Sequence, residues 1–200
     1  MTELSPKQQA ILCAAINHFG QYGLAATTME GICATAQVSK RTLYKHYSTK
    51  DELFGAVVDK LIERIQPLTT IQFIPNYDFK VQLQHLARSA VELLNDEDYL
   101  TLSRIVMIES LRSKSQAERL AERFVNCECA LVQWFEDAAK AGCLGQFPAD
   151  IAAAFFWGGL KKLTYWEQVL KWRPALDEQA LDELLDQTCR LFCLGVTPRQ

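Results

Sequence analysis

Residues 38–54 read VSKRTLYKHYSTKDELF, and the first part of the chain is organised around them. Ser39 is suited to cap a short helix that runs to about Lys45, because its hydroxyl can accept a hydrogen bond from a free backbone N–H. So short a helix is not stable alone, and neighbouring helices must hold it. Its side chains are mostly cationic, hydroxylated or aromatic, the types that reach phosphates and base edges. The stretch predicts a DNA-reading helix, and a solvated charged helix is the alternative.

The residues before this stretch predict another helix and a tight turn. Thr27 and Glu30 have the spacing of a capping box, which would begin a helix that ends at about Ala36. Two helices joined by a tight turn form a helix-turn-helix arrangement. Thr28 stands at the start of the first of these helices, where a hydroxyl can bind a phosphate, although capping alone would explain a threonine there.

The end of the stretch and the residues after it predict a longer helix over about 51–65. Thr49 and Glu52, or the two residues one position earlier, can form a capping box at its start. Lys50 lies near the positive end of that helix, where a cation is mildly unfavourable unless a phosphate is close. This helix bridges the first part of the chain and the remainder, so we expect it to transmit movement between them.

The run from Ser39 to Phe54, with the helix-turn-helix before it, resembles the DNA-binding segment of the TetR family of one-component transcriptional regulators. The spacing Thr-Leu-Tyr-x-His-Tyr-x-x-Lys-x-x-Leu-Phe is present without gaps. One position departs from the pattern. Such proteins commonly carry glycine in the turn where this chain has Gln37, and a left-handed backbone is less favourable for Gln than for Gly.

Two groups of DNA contacts are predicted in this segment. The side chains expected to face the major groove are Ser39, Lys40, Arg41, Thr42, Tyr44 and Lys45. The side chains expected to hold the DNA backbone are Thr28, His46, Tyr47 and Lys50. The competing hypothesis is a helical small-molecule-binding or thiol-sensing protein whose vestigial helix-turn-helix no longer binds DNA. All four basic residues of this segment, Lys40, Arg41, Lys45 and Lys50, are present, which argues against the vestigial helix-turn-helix.

Composition and charge fit a folded protein with a basic DNA-binding end. Nearly half of the 200 residues, 49%, are hydrophobic, which excludes disorder. The net charge of −3 divides unevenly, because residues 1–50 carry +3 and the remaining 150 residues carry −6. A small basic part on an acidic body orients a protein on a polyanion. No apolar run reaches the length of a membrane span and no signal peptide is present, so a cytoplasmic location is expected.

The remainder of the chain is helical by its pattern of apolar residues, with no strand signal. The sequence therefore predicts an all-α protein of about nine helices. Residues 1–50 would form a three-helix helix-turn-helix domain, and residues 66–200 a helical ligand-binding and dimerisation domain. Pro67 is expected to end the bridging helix, and another long helix is expected from Pro148 to about Leu170.

The resemblance implies a ligand cavity and a dimer interface in that second domain. The cavity would take an apolar or amphipathic small molecule, although most of its candidates are individually better explained as ordinary core. The candidates are Tyr99, Met107, Phe124, Trp134, Phe135, Phe155, Tyr165 and Trp166. In the family the last two helices pair with those of a second copy. The candidate interface residues are Phe156, Gly159, Leu160, Leu163, Leu184 and Leu191.

Catalytic, cofactor and metal sites are not predicted. The three histidines, His18, His46 and His85, lie far apart in the sequence, and no phosphate-binding glycine loop or zinc spacing is present. The seven cysteines lie in apolar helical settings and are interpreted as small buried hydrophobic residues, with a thiol sensor as the alternative. We therefore expect a transcriptional regulator, a repressor rather than an activator, that binds a palindromic operator as a homodimer and is released by a ligand.

Overall fold

The computed structural model describes residues 4–196, and within them the chain is all-α, with ten helices and no strand. The predicted all-α fold is confirmed. The helices are α1 (Pro6–Ala26), α2 (Met29–Ala36), α3 (Lys40–His46), α4 (Lys50–Thr69), α5 (Phe79–Leu94), α6 (Glu97–Arg112), α7 (Lys114–Lys140), α8 (Ala149–Leu163), α9 (Tyr165–Val169) and α10 (Glu178–Val196). In the described part, no helix is both long enough and apolar enough to span a bilayer.

Two helix boundaries differ from the prediction. Helix α4 continues through Pro67 to Thr69, because a proline in the last turn of a helix disturbs only the turn before it. The long helix predicted to about Leu170 breaks at Thr164, whose φ of −124° and ψ of −74° separate α8 from α9. The Thr164 hydroxyl donates to the Leu160 carbonyl at 2.8 Å, a side-chain contact that bends helices.

The chain forms two compact units. The first unit contains the chain up to Glu63 together with Thr101–Arg123, and the second contains Arg64–Leu100 and the chain from Phe124 onward. Helices α4, α6 and α7 therefore each pass from one unit into the other. The predicted division at residues 50 and 66 did not assign 101–123 to the first unit, and as a statement about function it stays a prediction.

Helix α1 begins as its sequence predicts. The Gln8 amide donates to the Ser5 hydroxyl at 3.4 Å, and the Ser5 amide donates to the Gln8 side chain at 3.1 Å, which together form a capping box. Near its end α1 kinks at Gly23, where φ is 76°. A Cβ at this glycine would stand 3.1 Å from the Arg112 guanidinium, so both the backbone conformation and the space favour glycine.

The segment Thr101–Arg123 is tied to the rest of the first unit by specific contacts. The Leu24 amide donates to the buried Glu109 carboxylate at 3.3 Å. The Arg123 guanidinium donates to the Gly55 carbonyl of α4 at 2.9 Å and also pairs with Asp59. These contacts join α6 and α7 to both ends of the helix-turn-helix.

The core of the second unit is aromatic. Phe135 is fully buried, and its ring lies 5.1 Å from that of Trp134, 5.6 Å from that of Phe156 and 6.0 Å from that of Phe192. Helices α5 and α10 are joined at the surface by ion pairs of Lys80 with Asp186 and of Arg88 with Asp182. Exposed pairs of this kind contribute little to stability, so the aromatic core holds this unit together.

Candidate DNA-binding site

The start of α2 is capped by Thr28, not by Thr27 as the sequence predicted. The Thr28 hydroxyl accepts a hydrogen bond from the Gly31 amide at 3.1 Å. Thr27 is buried, and its hydroxyl donates to the carbonyls of His18 at 3.1 Å and Gly23 at 2.8 Å. Thr28 itself is exposed at the helix N-terminus, where backbone N–H groups and the hydroxyl can meet a phosphate.

The turn between α2 and α3 has the left-handed conformation that the sequence predicted. Gln37 caps α2 with φ 53° and ψ 42°. The Val38 amide donates to the Cys33 carbonyl at 3.1 Å, which closes the end of the helix. The chain then enters α3 at Ser39, whose hydroxyl accepts from the Thr42 amide at 3.1 Å. The helix-turn-helix is therefore complete although a residue other than glycine occupies the turn.

Helix α3 has one buried side and one side open to solvent. Leu43 is fully buried and anchors the helix, which is too short to be stable by itself. Tyr44 is 45% exposed on the open side. The other exposed residues of this segment are Ser39, Lys40, Arg41 and Lys45, and Thr42 and His46 are half-buried. All six residues predicted to face the major groove are therefore at least partly accessible on the surface.

The charges on the open side of α3 fall into two classes. Lys40 donates to Glu30 of α2 at 2.8 Å, and this hydrogen bond raises the pKa of Lys40 and lowers the pKa of Glu30. Arg41 and Lys45 form no hydrogen bond or ion pair with any residue that the structure describes. These two cations are available to phosphates without breaking an internal contact, whereas Lys40 must first leave Glu30.

Two residues predicted to contact the DNA backbone are instead engaged within the protein, one by burial and one by hydrogen bonds. Tyr47 is only 7% exposed, burial raises its pKa, and its predicted contact with DNA has no support in this geometry. The Lys50 ammonium donates to the carbonyls of Ala25 at 3.0 Å and Thr27 at 2.8 Å. These bonds satisfy carbonyls at the end of α1 and compete with the predicted phosphate contact of Lys50.

A capped helix-turn-helix that presents hydroxyl, aromatic and cationic groups outward from its second helix defines a DNA-binding regulator. Two family models match the chain: "Bacterial regulatory proteins, tetR family" over residues 11–57, and "AefR-like transcriptional repressor, C-terminal domain" over residues 81–194. The chain belongs to the TetR family and is a DNA-binding transcriptional regulator.

Individual relatives are similar to this protein over most of the chain. The HTH-type transcriptional regulator UidR of Escherichia coli (strain K12) is 26% identical over 170 residues, which cover 82% of this chain and 81% of UidR. The regulator YhgD of Bacillus subtilis (strain 168) is 24% identical over 181 residues, covering 90% and 93%. The crystal structure of a TetR family transcriptional regulator from Pseudomonas syringae pv. tomato superposes with a TM-score of 0.85 at 27% identity, covering 99% of this chain and all of that one.

The eight residues predicted to line one ligand cavity do not gather in one place. Phe155 is 76% exposed on α8, so its assignment to an interior cavity is wrong. Met107 belongs to the first unit and the other seven to the second. Among those seven, the Tyr165 ring lies 6.1 Å from that of Tyr99 and 4.9 Å from that of Trp166. Phe124 is half-buried, and Trp134 and Phe135 belong to the central core.

The predicted dimer residues divide between core and surface. Phe156 is 2% exposed and Leu160 is fully buried, so neither can contact a second protomer and that part of the prediction is wrong. Leu191 is 72% exposed. The remaining members of the set are the exposed Gly159 and Leu163 and the half-buried Leu184. Other large apolar side chains exposed on α8 and α10 are Ile151, Phe155 and Leu194, which the interface prediction did not include.

The cysteines do not form a reactive or metal-binding group in the described residues. All seven are free, and no cluster of three or more His, Cys, Asp or Glu there is placed to hold a metal ion. Burial raises the pKa of Cys189 to about 12 and that of Cys193 to about 11, so both remain thiols at neutral pH. The thiolate is the reactive species, and these two residues are therefore poor candidates for an oxidant sensor.

Proposed function

We propose that the protein is a homodimeric repressor that binds a palindromic operator and releases it when a small molecule binds to the second unit. The observation that carries the DNA-binding half of this proposal is the open side of α3, where Tyr44 is exposed and where Arg41 and Lys45 form no hydrogen bond or ion pair with any described residue. The repressor role is supported by the description of the C-terminal family model, which names a transcriptional repressor.

The dimer is supported by an apolar surface on α8 and α10, which pack against each other. We call the exposed residues Ile151, Phe155, Leu163, Leu191 and Leu194 the α8/α10 face. Gly158, Gly159 and Gly195 lie beside them with open space above their Cα atoms, so another helix can approach closely. Several large apolar side chains exposed on two helices that pack together support an interface here. A two-fold dimer would place two α3 helices in successive major grooves, about 34–36 Å apart.

Release by a ligand requires that the ligand bind preferentially to a conformation unsuited to the operator. Helices α4, α6 and α7 each run through both units, so a change in the second unit has three continuous routes to the first. We propose that an apolar or amphipathic effector acts through them, and that α4, which begins directly after the helix-turn-helix, changes the spacing of the two α3 helices.

The test is binding of the purified protein to DNA from upstream of its own gene, compared with scrambled DNA of equal length, at two salt concentrations. A specific, salt-sensitive complex with two protomers per site is expected. Tyr44→Ala should abolish the specific complex and leave the dimer intact, whereas Tyr77→Ala, at another exposed tyrosine that belongs to the second unit, should change neither. Unaltered operator protection by Tyr44→Ala would contradict the assignment of α3. Equal, weak binding to both DNAs would favour the small-molecule-binding protein without DNA recognition.

A further inference from the structure

A cavity of about 240 Å³ opens in the second unit, between the end of α5, helix α9, the segment 170–177 and the start of α10. Much of its wall is apolar, formed by Val91, Leu163, Pro174, Leu176, Leu181 and Leu184. This volume is far larger than a single water requires and suits a small organic molecule. None of the residues predicted to form the aromatic ligand cavity lines it.

One end of the cavity carries hydrogen-bond donors that are held in place. Gln168, which is 6% exposed, donates through its side-chain amide to the Asn95 Oδ1 at 2.6 Å. Asn95 therefore keeps its carbonyl toward Gln168 and its NH₂ group away from it. Among the described residues, that NH₂ group has no hydrogen-bond partner. Both residues line the cavity, so Asn95 provides a fixed donor at its polar end.

Arg173 provides the charge at the same end. One nitrogen of its guanidinium, Nη1, lies 3.0 Å from Glu167 Oε2, and the other guanidinium N–H groups have no partner among the described residues. Glu167 also pairs with Lys162 at 3.3 Å and Lys171 at 2.6 Å. Glu167 is therefore in contact with three cations, and Arg173 is the one cation among the described residues that line the cavity.

We propose that this cavity binds a small amphipathic carboxylate. The carboxylate would accept hydrogen bonds from Arg173 and from the Asn95 amide, and the apolar body would lie against Val91 and Leu181. A planar guanidinium and an amide donor match the geometry of a carboxylate. Arg173 would repel a cationic group placed against its free N–H groups, and a neutral ligand would forgo the charge-assisted hydrogen bonds. This proposal rests on the proposed function for a small-molecule site in the second unit and names its ligand class, and binding here can be measured without an operator or an effect on DNA.

The experiment is calorimetric titration of the full-length, DNA-free protein with straight-chain carboxylates of four to ten carbons and with phenylacetate, phenylpropionate and phenylbutyrate. Each acid is compared with its primary amide, which keeps the shape and removes the charge. We expect at least one acid to bind, and its amide to bind roughly tenfold more weakly or worse, because a charge-assisted hydrogen bond is lost.

Substitutions of single residues test whether the acid binds in this cavity. Arg173→Gln should weaken binding of that acid roughly tenfold, and Arg173→Lys should retain part of the affinity. Asn95→Asp keeps the shape, removes the donors and adds a negative charge, so it should abolish binding without lowering the melting temperature appreciably. The matched control is Arg190→Gln on α10, an exposed arginine that does not line the cavity, which should bind as the parent does.

Three outcomes would overturn the proposal. No acid of the panel binds; the acid and its amide bind equally; or Arg173→Gln and Asn95→Asp bind as well as the parent, which would place the ligand elsewhere. Closure of the cavity by a second protomer would give the first of these outcomes. Because no DNA is present, each result is independent of whether the protein represses transcription.

Discussion

At the scale of single residues, Gln37 occupies a position where a substitution should increase the stability of the fold. Its left-handed backbone, φ 53° and ψ 42°, costs a residue with a Cβ about 1–2 kcal/mol, and glycine avoids most of that cost. Glycine also loses more backbone entropy on folding, which offsets part of the gain. We predict that Gln37→Gly raises the free energy of unfolding by about 1 kcal/mol, measured by urea denaturation.

The control for that prediction is Gln37→Ala, which shortens the side chain and keeps the Cβ. Alanine should give no increase in stability, since the backbone strain remains. If the glycine and alanine variants unfold at the same urea concentration, the turn is not strained in the way that its backbone angles indicate.

Lys50 allows a second prediction, which separates an internal role from a phosphate contact. Its ammonium donates to two carbonyls at the end of α1, so Lys50→Gln should lower the free energy of unfolding by roughly 1 kcal/mol. Each phosphate contact contributes about 0.9 to the slope of log affinity against log salt concentration. Because each of the two protomers in the complex loses one contact, Arg41→Ala should reduce the slope by nearly two, and Lys50→Gln should reduce it much less.

Operator binding measured at four or more salt concentrations distinguishes the two roles of Lys50. Equal flattening of the salt dependence by Lys50→Gln and Arg41→Ala would show that the ammonium leaves α1 and binds a phosphate, as the sequence alone predicted. A loss of stability with an unchanged slope would show that Lys50 only positions the helices around α3.

At this scale, a contact could be predicted from the sequence when both of its residues lie close together in the chain. The capping box of Ser5 and Gln8 involves residues three apart, so their spacing in the sequence is enough to indicate it. The choice between Thr27 and Thr28 as the cap of α2 was not local. It depends on carbonyls of α1 that bury the hydroxyl of Thr27. Glu109, which binds the Leu24 amide 85 positions away in sequence, carried no local sign of that role.

At the scale of elements, the α8/α10 face leads to a prediction about assembly. Phe155→Glu would place a charge in the centre of the proposed apolar interface, where it would lose its hydration without gaining a partner. We expect the dissociation constant of the dimer to increase by a factor of about a hundred or more, as for a residue at the centre of an interface. Analytical ultracentrifugation over a range of protein concentrations measures this directly.

A control with the same chemistry lies elsewhere on the surface. Leu111 of α6 is 82% exposed and is not part of the α8/α10 face, so Leu111→Glu should leave the dissociation constant unchanged. If Phe155→Glu has no more effect than Leu111→Glu, the protein does not dimerise through this face.

The assignment of faces on α8 shows why helical periodicity failed there. Adjacent residues on a helix point about 100° apart, and α8 is apolar on more than one side. Phe155 and Phe156 were therefore interchangeable by pattern. The structure buries Phe156 against Phe135 and Phe192 and leaves Phe155 exposed. A helix that is apolar on more than one side could be predicted, but which side is buried within the protomer depends on the packing of α7 and α10.

At the scale of the whole molecule, the first unit depends on residues that lie far along the chain. Ile105 is buried and lies 3.8 Å from where a Cβ would stand on Gly20 of α1. Glu109 holds the Leu24 amide, and Arg123 holds the Gly55 carbonyl of α4. The sequence pattern could not show this, because a local period says nothing about which distant helix completes a core. We therefore expect a helix-turn-helix domain ending at residue 50 or 65 to be incomplete as a folding unit.

This arrangement predicts the behaviour of fragments. A fragment of residues 1–66 lacks Ile105, Glu109 and Arg123, so it should melt at a much lower temperature than the full chain and without a sharp transition. Circular dichroism at 222 nm during heating measures both properties. Addition of the complementary fragment, residues 67–200, supplies the missing contacts and should restore a cooperative transition. A matched addition of the 67–200 fragment carrying Glu109→Ala and Arg123→Ala should restore it less completely. A 1–66 fragment that melts cooperatively at the temperature of the full chain would show instead that the helix-turn-helix folds on its own, and that Thr101–Arg123 rests on it without stabilising it.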